Sequence, residues 1–219
     1  MIRLPPALDR RLWFPDPSTA DDEGLVAFGG DLSVGRLLLA YRSGIFPWTV
    51  EPITWWSPDP RALIEFDQFH APRSLLKLIR HEAFEVTRDQ AFREVMLGCA
   101  TAPGRGSTWI SQAFIDAYLR LHQHGHAHSV ECWQASQLAG GIYGVAIGGL
   151  FAGESMFHRV SNASKVALCH LVQHLRDRGF ALFDIQMLTP VTRQLGATAI
   201  PREVYLERLS QATQHYCAF

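Results

Sequence analysis

The sequence has 219 residues, of which 47% are hydrophobic and 19% are charged, and its formal net charge at pH 7 is −1. These values exclude a largely disordered chain and a surface coated in positive charge, although a local basic face is compatible with them. There is neither a signal-peptide pattern at the N-terminus nor a run of ~20 apolar residues that could cross a bilayer, so we expect a cytoplasmic protein without membrane contact.

Residues 1–61 are rich in proline, tryptophan and glycine. Prolines interrupt regular structure, so few elements are predicted here. One helix fits, with Ser33 as its N-cap and residues 36–42 as its body. We therefore predict a small, loop-rich N-terminal lobe over residues 1–61, held together by aromatic side chains.

Residues 62–219 have a more regular hydrophobic pattern. The predicted helices span residues 74–80, 90–100 and 163–178, another runs from its N-cap Ser111 to His124, and a last helix starts at Pro201. The predicted strands span residues 127–134, 141–147, 151–157 and 180–186, with Gly148 and Gly149 turning a hairpin between the second and third. Antiparallel strands followed by a helix and a further strand indicate an α+β domain, with helices flanking a sheet.

The strand at residues 180–186 ends in two polar residues. Alternation places Asp184 and Gln186 on one face, together with Phe180 and Leu182. A strand end that reaches solvent would explain this pattern. A polar pair at the mouth of an apolar pocket, where substrate-orienting groups lie, is the functional alternative.

Glu154 lies within an apolar run, and a buried carboxylate is costly unless it has a partner. It could pair with an arginine or cap a loop. Alternatively, it could receive a cation or position an amine. The sequence leaves these alternatives open.

Positive charge is concentrated on the first predicted helix of the larger domain. Arg73, Lys77 and Arg80 have i, i+4, i+7 spacing and so share one helical face. Such a face is usually solvated, but it also suits a phosphate backbone. The loop tryptophans, among them Trp48 and Trp109, are either core residues or platforms for unstacked bases, and Trp109 follows Arg105.

No metal or cofactor is predicted. The four cysteines are far apart in the sequence, so reduced thiols are expected. His122, His124, His126 and His128 alternate, but Gly125 divides them between a helix and a strand, and no further ligand has suitable spacing.

Ten sequence blocks, in this order and spacing, resemble the leucyl/phenylalanyl-tRNA–protein transferase family over nearly the whole chain. The blocks are residues 24–33, 36–48, 56–61, 108–110, 121–131, 140–157, 163–165, 184–186, 195–197 and 200–202. Each block alone is weak, but the set is highly specific. One departure is Val191 and Gln194, where many members carry His and Ser.

The resemblance implies an enzyme that moves Leu or Phe, and less readily Met, from aminoacyl-tRNA to the N-terminal amine of proteins beginning with Arg or Lys, which marks them for degradation through an N-degron pathway. It implies an acetyltransferase-like (GNAT) domain behind the small N-terminal lobe. It also implies a monomer that needs no cofactor.

The resemblance further implies the roles of individual residues. Asp184 and Gln186 match the catalytic pair, and Glu154 matches the active-site glutamate. Trp48 and Trp109 match residues around the 3′-terminal adenosine. The positions that match the pocket for the transferred side chain are Ile142, Phe151, Met156, Leu171 and Phe183. We expect the stripe of Arg73, Lys77 and Arg80 to bind the tRNA phosphates.

In the expected mechanism, Gln186 holds the attacking amine and Asp184 stabilises or accepts its departing proton. Alternatively, the terminal tRNA hydroxyl carries this proton and Asp184 only orients the amine. An acyl-CoA N-acyltransferase would need a glycine-rich loop before the helix at residue 163, and residues 160–165 contain no glycine. A tRNA-binding protein without catalysis would not need Asp184 and Gln186 beside an apolar pocket.

Overall fold

The computed structural model describes residues 5–102 and 109–219. Arg105 and Thr108, the first residue of the 108–110 block, lie outside these residues. The described chain contains helices and sheets in the mixed order that the sequence predicts, so the α+β class is confirmed.

The N-terminal lobe contains a four-stranded sheet with the order β1-β2-β4-β3. Its strands are β1 (Ala7–Leu8), β2 (Leu25–Gly29), β3 (Phe46–Val50) and β4 (Ile53–Trp56). Helix α1 (Val34–Arg42) connects β2 to β3 and begins at the predicted N-cap, whose Ser33 hydroxyl accepts a hydrogen bond from the Arg36 backbone N–H.

This lobe is more regular than the sequence predicts. Pro47 lies in β3, which is an edge strand, and there the missing N–H removes no necessary ladder hydrogen bond. Aromatic side chains hold the lobe together as expected. Trp55 is fully buried, with its indole N–H donating to the Gly29 carbonyl at 2.9 Å, and Phe14 packs edge-on against it at 4.8 Å.

The larger sheet has seven strands in the order β11-β5-β10-β9-β8-β7-β6. Its strands are β5 (Arg61–Ile64), β6 (Glu85–Arg88), β7 (Ala127–Gln134), β8 (Gln137–Ile147), β9 (Leu150–His158), β10 (Leu182–Gln186) and β11 (Thr198–Ile200). The predicted hairpin of β8 and β9 is present, and Gly148 at its turn has a φ of +56°. Strands β5, β6 and β11 were not predicted because each is short.

Strands β9 and β10 are parallel, unlike the other neighbouring pairs of this sheet. A parallel connection needs a crossover, and the predicted amphipathic helix supplies it as α5 (Ala163–Asp177). The pairing runs from Leu182 opposite Leu150 to Asp184 opposite Ala152 and ends there. Beyond this point the two strands separate and leave a cleft between them.

The remaining helices are α2 (Arg73–Arg80), α3 (Phe92–Ala100), α4 (Gln112–Gln123), α6 (Pro190–Gln194) and α7 (Arg202–Ala212). Helix α3 begins two residues later than predicted, because its N-cap Ala91 has an extended φ of −144°. Pro201 is the N-cap of α7 rather than its first residue. No helix in the described ranges is both long and apolar enough to cross a membrane.

Two large hydrophobic clusters lie on opposite faces of the larger sheet, as the neighbours Ile142 and Tyr143 on β8 show by belonging to different clusters. The first cluster joins the N-terminal lobe to α3 and α4, and includes Leu37, Trp55 and Tyr118. The second packs α5 against the other face. The N-terminal lobe thus shares a core with the larger sheet.

Candidate functional site

A cavity of about 600 Å³ occupies the cleft where β9 and β10 separate. Part of its wall is aromatic and is formed by Phe46, Trp48 and Trp109, which belong to or pack against the first core. Another part is aliphatic and extends from the second core. The aliphatic residues are Ile64, Ile142, Leu168, Ile185 and Val191, together with Met156. Polar side chains complete the lining: Glu154, Ser155, His158, Ser164, Lys165, Gln186, Thr189 and Thr192.

Glu154 projects from β9 into this cavity. Its carboxylate accepts hydrogen bonds from the Tyr41 hydroxyl at 2.7 Å, the Gln186 side-chain amide at 2.8 Å and the Tyr118 hydroxyl at 3.3 Å. The two tyrosine oxygens also lie within hydrogen-bonding distance of each other, so the single Tyr118 proton is shared between the Tyr41 oxygen and Glu154. Tyr41 and Tyr118 were missed by the sequence analysis, because contacts between distant helices leave no local pattern.

Burial raises the pKa of Glu154 to about 7, and the charge of Asp184 acts in the same direction, while the Tyr41 hydrogen bond opposes the rise. Among the described residues, no arginine or lysine forms an ion pair with Glu154. The structural alternatives considered for this residue, pairing with an arginine or capping a loop, therefore do not describe it. A buried carboxyl group with a raised pKa on a cavity wall is a candidate functional residue.

Gln186 is held in a left-handed backbone conformation, with a φ of +63°. This conformation is unfavourable for a residue with a side chain, so surrounding contacts must maintain it. The Gln186 backbone N–H donates to Asp184 Oδ1 at 2.8 Å, and its side-chain amide donates to Glu154. The amide is thereby oriented with its nitrogen toward Glu154, and among the described residues no donor is recorded for its carbonyl oxygen.

Asp184 lies outside the cavity lining, which corrects the expectation that it stands beside Gln186 at a pocket mouth. It is fully buried and forms an ion pair with Arg61, through Nε at 2.9 Å and Nη2 at 2.6 Å. The Tyr205 hydroxyl donates to the same carboxylate at 2.9 Å. The alternation of the strand ends at Asp184 because the left-handed turn redirects Gln186.

Arg61 connects this ion pair to the cavity wall. Its guanidinium lies between the rings of Phe46 and Tyr205, at 4.9 and 4.5 Å from their centroids, and Nη1 donates to the Gly44 carbonyl at 3.1 Å. Phe46 itself lines the cavity. Arg61 is a functional residue that its local sequence pattern does not reveal, although it belongs to one of the family-like blocks.

The predicted apolar pocket is only partly correct. Ile142 and Met156 line the cavity, but Phe151, Leu171 and Phe183 are buried in the core behind it. The rings of Phe151 and Phe183 pack edge-on at 5.5 Å. Sequence reasoning missed four aliphatic lining residues: Ile64, Leu168, Ile185 and Val191. Val191 was noted only as a departure from the family pattern.

Trp48 and Trp109 both line the cavity, on segments that are distant in the sequence. Trp48 packs edge-on against Trp56 at 5.5 Å, and Trp109 packs edge-on against Phe114 at 5.3 Å. Each indole is therefore fixed by a second ring while part of it borders the cavity. Such rigid aromatic surfaces suit stacking with a base.

Arg73, Lys77 and Arg80 are exposed on α2 and do not line the cavity. Helix α2 packs against α5, and a groove between them is lined by Leu76 and Ile79 from α2 and by Cys169, Val172 and Arg176, among others, from α5. The basic stripe thus lies on a helix that packs against α5, whose N-terminal end borders the cavity.

Two of the alternating histidines, His122 and His128, make contacts within the fold. His128 Nδ1 lies 2.8 Å from an oxygen of Asp89, and His122 Nδ1 lies 2.8 Å from the Ala127 carbonyl oxygen. Within the ranges that the structure describes, no three His, Cys, Asp or Glu residues are grouped so that they could hold a metal ion.

Two family models match the sequence. Residues 63–210 match the model described as leucyl/phenylalanyl-tRNA protein transferase, and residues 30–59 match the model of the corresponding N-terminal domain. The first match alone covers more than half of the chain.

Several curated relatives, each named leucyl/phenylalanyl-tRNA–protein transferase, are similar to this chain. The protein from Magnetococcus marinus is 54% identical over 206 residues, which cover 91% of this chain and 88% of the relative. The protein from Oleidesulfovibrio alaskensis is 50% identical over 215 residues, covering 94% and 87%. The protein from Aeromonas hydrophila is 48% identical over 212 residues, covering 94% and 90%.

Similarity to solved structures is weaker. The L-PGS structure from Bacillus licheniformis has a TM-score of 0.42 at 12% identity and covers 75% of this chain and 53% of its own. A ribosomal-protein-alanine N-acetyltransferase from Brucella melitensis has a TM-score of 0.36 at 12% identity, covering 51% and 86%. The family is therefore assigned from the sequence comparisons.

Proposed function

The chain belongs to the leucyl/phenylalanyl-tRNA–protein transferase family, and from this premise we propose that it transfers Leu or Phe from aminoacyl-tRNA to the N-terminal amine of proteins that begin with Arg or Lys. Met would be a weaker donor residue. The products would enter an N-degron pathway. One chain lines the cavity, so a monomer would suffice for the reaction.

One observation carries this proposal: the cavity places the Glu154 carboxyl group, which forms no ion pair with another described residue, and the Gln186 amide beside both an aromatic and an aliphatic wall. The donor's 3′ end has a base that can stack on Trp48 and Trp109, and an apolar side chain that fits the aliphatic wall. The reacting ester then lies near Glu154 and Gln186. An amine entering there would meet both acceptor groups.

The acceptor amine attacks the ester carbonyl carbon. A C–N bond forms, the C–O bond to the ribose breaks, and the amine's proton is passed on so that the ribose oxygen leaves as a hydroxyl. The ester is already activated, and about a tenth of an α-amine with a pKa of ~8 is neutral at pH 7. Holding the amine and ester in position can therefore supply much of the rate, on the order of 7–11 kcal/mol.

In this scheme the Gln186 carbonyl oxygen accepts a hydrogen bond from the amine, and Glu154 attracts the amine or the adjacent cationic side chain. Glu154, with a pKa of about 7, or the ribose hydroxyl receives the proton. Asp184 acts as a positioning residue. Its oxygens are occupied by Arg61, Tyr205 and the Gln186 N–H, so it cannot reach the amine directly.

We further propose that residues 1–61 form a small domain and residues 62–219 the catalytic domain. The aromatic wall comes from both, through Trp48 and Trp109. Arg61 is the first residue of β5 in the larger sheet, so the proposed boundary lies at the start of this strand. The basic stripe of Arg73, Lys77 and Arg80 would bind the tRNA acceptor stem through its phosphates.

The test is transfer of radiolabelled Leu or Phe from charged tRNA to a protein that begins with Arg or Lys, with the same protein beginning with Met as the control. We expect labelling of the Arg and Lys acceptors, and its loss in Gln186→Ala. Equal labelling of all three acceptors would contradict the acceptor preference. An absence of labelling with every acceptor would contradict the proposed reaction.

A further inference from the structure

Lys165 is a half-buried cation on the cavity wall. Its Nζ lies 3.4 Å from the Asn162 side-chain oxygen, and in the described part of the chain it forms no ion pair with a carboxylate. His158 and Ser164 line the cavity beside it, with His158 Nδ1 and Ser164 Oγ 3.5 Å apart. The cavity therefore contains a cationic end as well as the acidic group Glu154.

The chemistry of the reactants indicates what this cation binds. Both reacting partners carry amines, which Lys165 would repel when they are protonated, and the ester and the base are uncharged. The anion nearest the ester is the phosphodiester on the 5′ side of the same ribose. An amine attracted to Glu154 and a phosphodiester attracted to Lys165 would orient the donor within the cavity.

We propose that Lys165 binds the phosphodiester that joins the terminal nucleoside of the charged tRNA to the preceding nucleotide. This inference rests on the proposed function, because it takes aminoacyl-tRNA as the donor. It assigns a binding role to the block of residues 163–165, for which the mechanism had none. His158 and Ser164 can hydrogen-bond to the same phosphodiester.

The local backbone supports an anion at this position. Lys165 lies in the first turn of the fifteen-residue helix α5, whose N-cap Asn162 makes no side-chain capping hydrogen bond. The Ala163 N–H donates to the Val160 carbonyl, and the positive end of the helix dipole favours a negative group near this first turn. The dipole adds to the effect of the Lys165 ammonium, on which the proposal depends.

The position of Lys165 also connects the cavity to the basic stripe. Cys169, Val172 and Arg176 follow Lys165 at helical spacing and line the groove against α2. The stripe of Arg73, Lys77 and Arg80 lies on α2 itself. Upstream nucleotides can thus pass from α2 along α5 to Lys165, the one lysine or arginine that lines the cavity among residues 5–102 and 109–219.

The experiment compares two small donors that differ only in the phosphodiester: 3′-leucyl-adenosine, and the same compound with a methyl phosphodiester on its 5′ oxygen. Initial rates of leucine transfer to an Arg-terminated peptide are measured for the wild-type protein, Lys165→Met and Lys165→Arg. Arg120→Met is the matched control, because Arg120 is an exposed cation on α4 that does not line the cavity.

We expect the wild-type kcat/KM to be roughly ten- to a hundredfold higher for the phosphodiester donor, since hydrogen bonds to charged groups have effects of this size. Lys165→Met should abolish this preference, so that its kcat/KM becomes the same for the two donors. Lys165→Arg should retain most of the preference, and Arg120→Met should behave as the wild type.

A preference that persists in Lys165→Met, or is missing in the wild type, would overturn the proposal. Equal losses with both donors in Lys165→Met would also overturn it, because they would indicate a structural role. Failure of the proposed function has a different signature, since the wild-type protein would then transfer nothing from either donor or from charged tRNA.

Discussion

Glu154 has hydrogen-bond donors around its carboxyl group but forms no ion pair with another residue in the described structure. These two features together set its pKa. Tyr41, Tyr118 and Gln186 all donate to its carboxylate, yet burial still raises its pKa to about 7. Three hydrogen bonds thus do not fully replace the water that surrounds a free carboxylate. The carboxylate would be stabilised further by a bound amine.

The raised pKa of Glu154 predicts how stability depends on pH. The folded protein holds this proton more tightly than the unfolded chain, whose glutamates titrate near 4.5. The contribution of Glu154 therefore falls as pH rises from about 4.5 to about 7, by at most ~1.4 kcal/mol per pH unit. Glu154→Gln lacks this titration, so its stability relative to the wild type should increase from pH 5 to pH 7 and then level off.

Urea denaturation at pH 5, 6, 7 and 8 measures this difference. Glu65→Gln is the control, because hydrogen bonding to Arg208 lowers the pKa of Glu65 and places its titration below this range. Its stability relative to the wild type should therefore be constant between pH 5 and 8. A constant difference for Glu154→Gln as well would show that Glu154 is ionised throughout the range.

Neutralising the Asp184 carboxylate by substitution should greatly destabilise the folded protein. Asp184→Asn would leave the fully buried Arg61 without its counter-charge, which typically costs about 3–5 kcal/mol. Tyr205→Phe removes only one hydrogen bond to the same carboxylate, which costs about 1 kcal/mol. The free energies of unfolding of both variants, from urea titrations at pH 7, provide the comparison. Similar values for the two variants would contradict the importance of the ion pair.

The basic stripe on helix α2 leads us to expect that the affinity for charged tRNA depends on the salt concentration. Replacing Arg73 and Lys77 with Ala should weaken binding of every charged tRNA to a similar degree, because phosphate contacts do not read sequence. The logarithm of the tRNA association constant falls linearly with the logarithm of the salt concentration. This negative slope should become shallower by about 0.9 for each lost contact with duplex phosphate. Filter binding or fluorescence anisotropy at several salt concentrations would measure it.

The matched control for the α2 double variant replaces two exposed arginines of other helices with Ala. They are Arg42 on α1 and Arg120 on α4. It removes the same number of positive charges, so it accounts for the change in net charge. If both double variants changed the salt dependence equally, the contact with tRNA would be distributed over the surface rather than located on α2.

Helix α6 contributes one side chain, Val191, to the aliphatic wall. Val191→Ala would widen the cavity, so transfer of Phe should increase relative to Leu, by about three- to tenfold, because small changes in pocket size give graded discrimination. Val191→Thr keeps the size of the side chain and should leave the ratio near the wild-type value. The ratio of kcat/KM for the two charged tRNAs is the measurement, and an unchanged ratio in Val191→Ala would exclude Val191 from the pocket.

At the scale of the whole molecule, the shared core connects the small lobe to the larger sheet. Leu37 and Trp55 of the small lobe belong to the same buried cluster as Phe114 and Tyr118 of α4. Removing the small lobe would expose these α4 residues to water, and it would also remove Phe46, on which Arg61 stacks.

We therefore expect that residues 60–219, produced alone, do not form the native catalytic domain. Urea unfolding of this fragment should be broad, whereas the full chain should show one transition that coincides by tryptophan fluorescence and far-ultraviolet circular dichroism. A sharp transition and a native near-ultraviolet spectrum for the fragment would show instead that the larger domain folds by itself.

The sequence by itself determined the local elements and the family. The Ser33 and Ser111 caps, the strand at Ala127–Gln134 and the hairpin at Gly148 follow from patterns that span a few residues, and the structure confirms them. The sequence also identified Glu154 and Gln186, which line the cavity, because polar residues within apolar runs are conspicuous.

Only the tertiary structure decided which of these groups share a site. Asp184 and Gln186 are two residues apart, but one left-handed residue places them on different sides, one buried against Arg61 and the other in the cavity. The cavity itself exists because β9 and β10 separate after Asp184, and no residue pattern records that event. Local spacing specifies helices, strands and caps, whereas a site assembled from distant segments depends on how those elements pack.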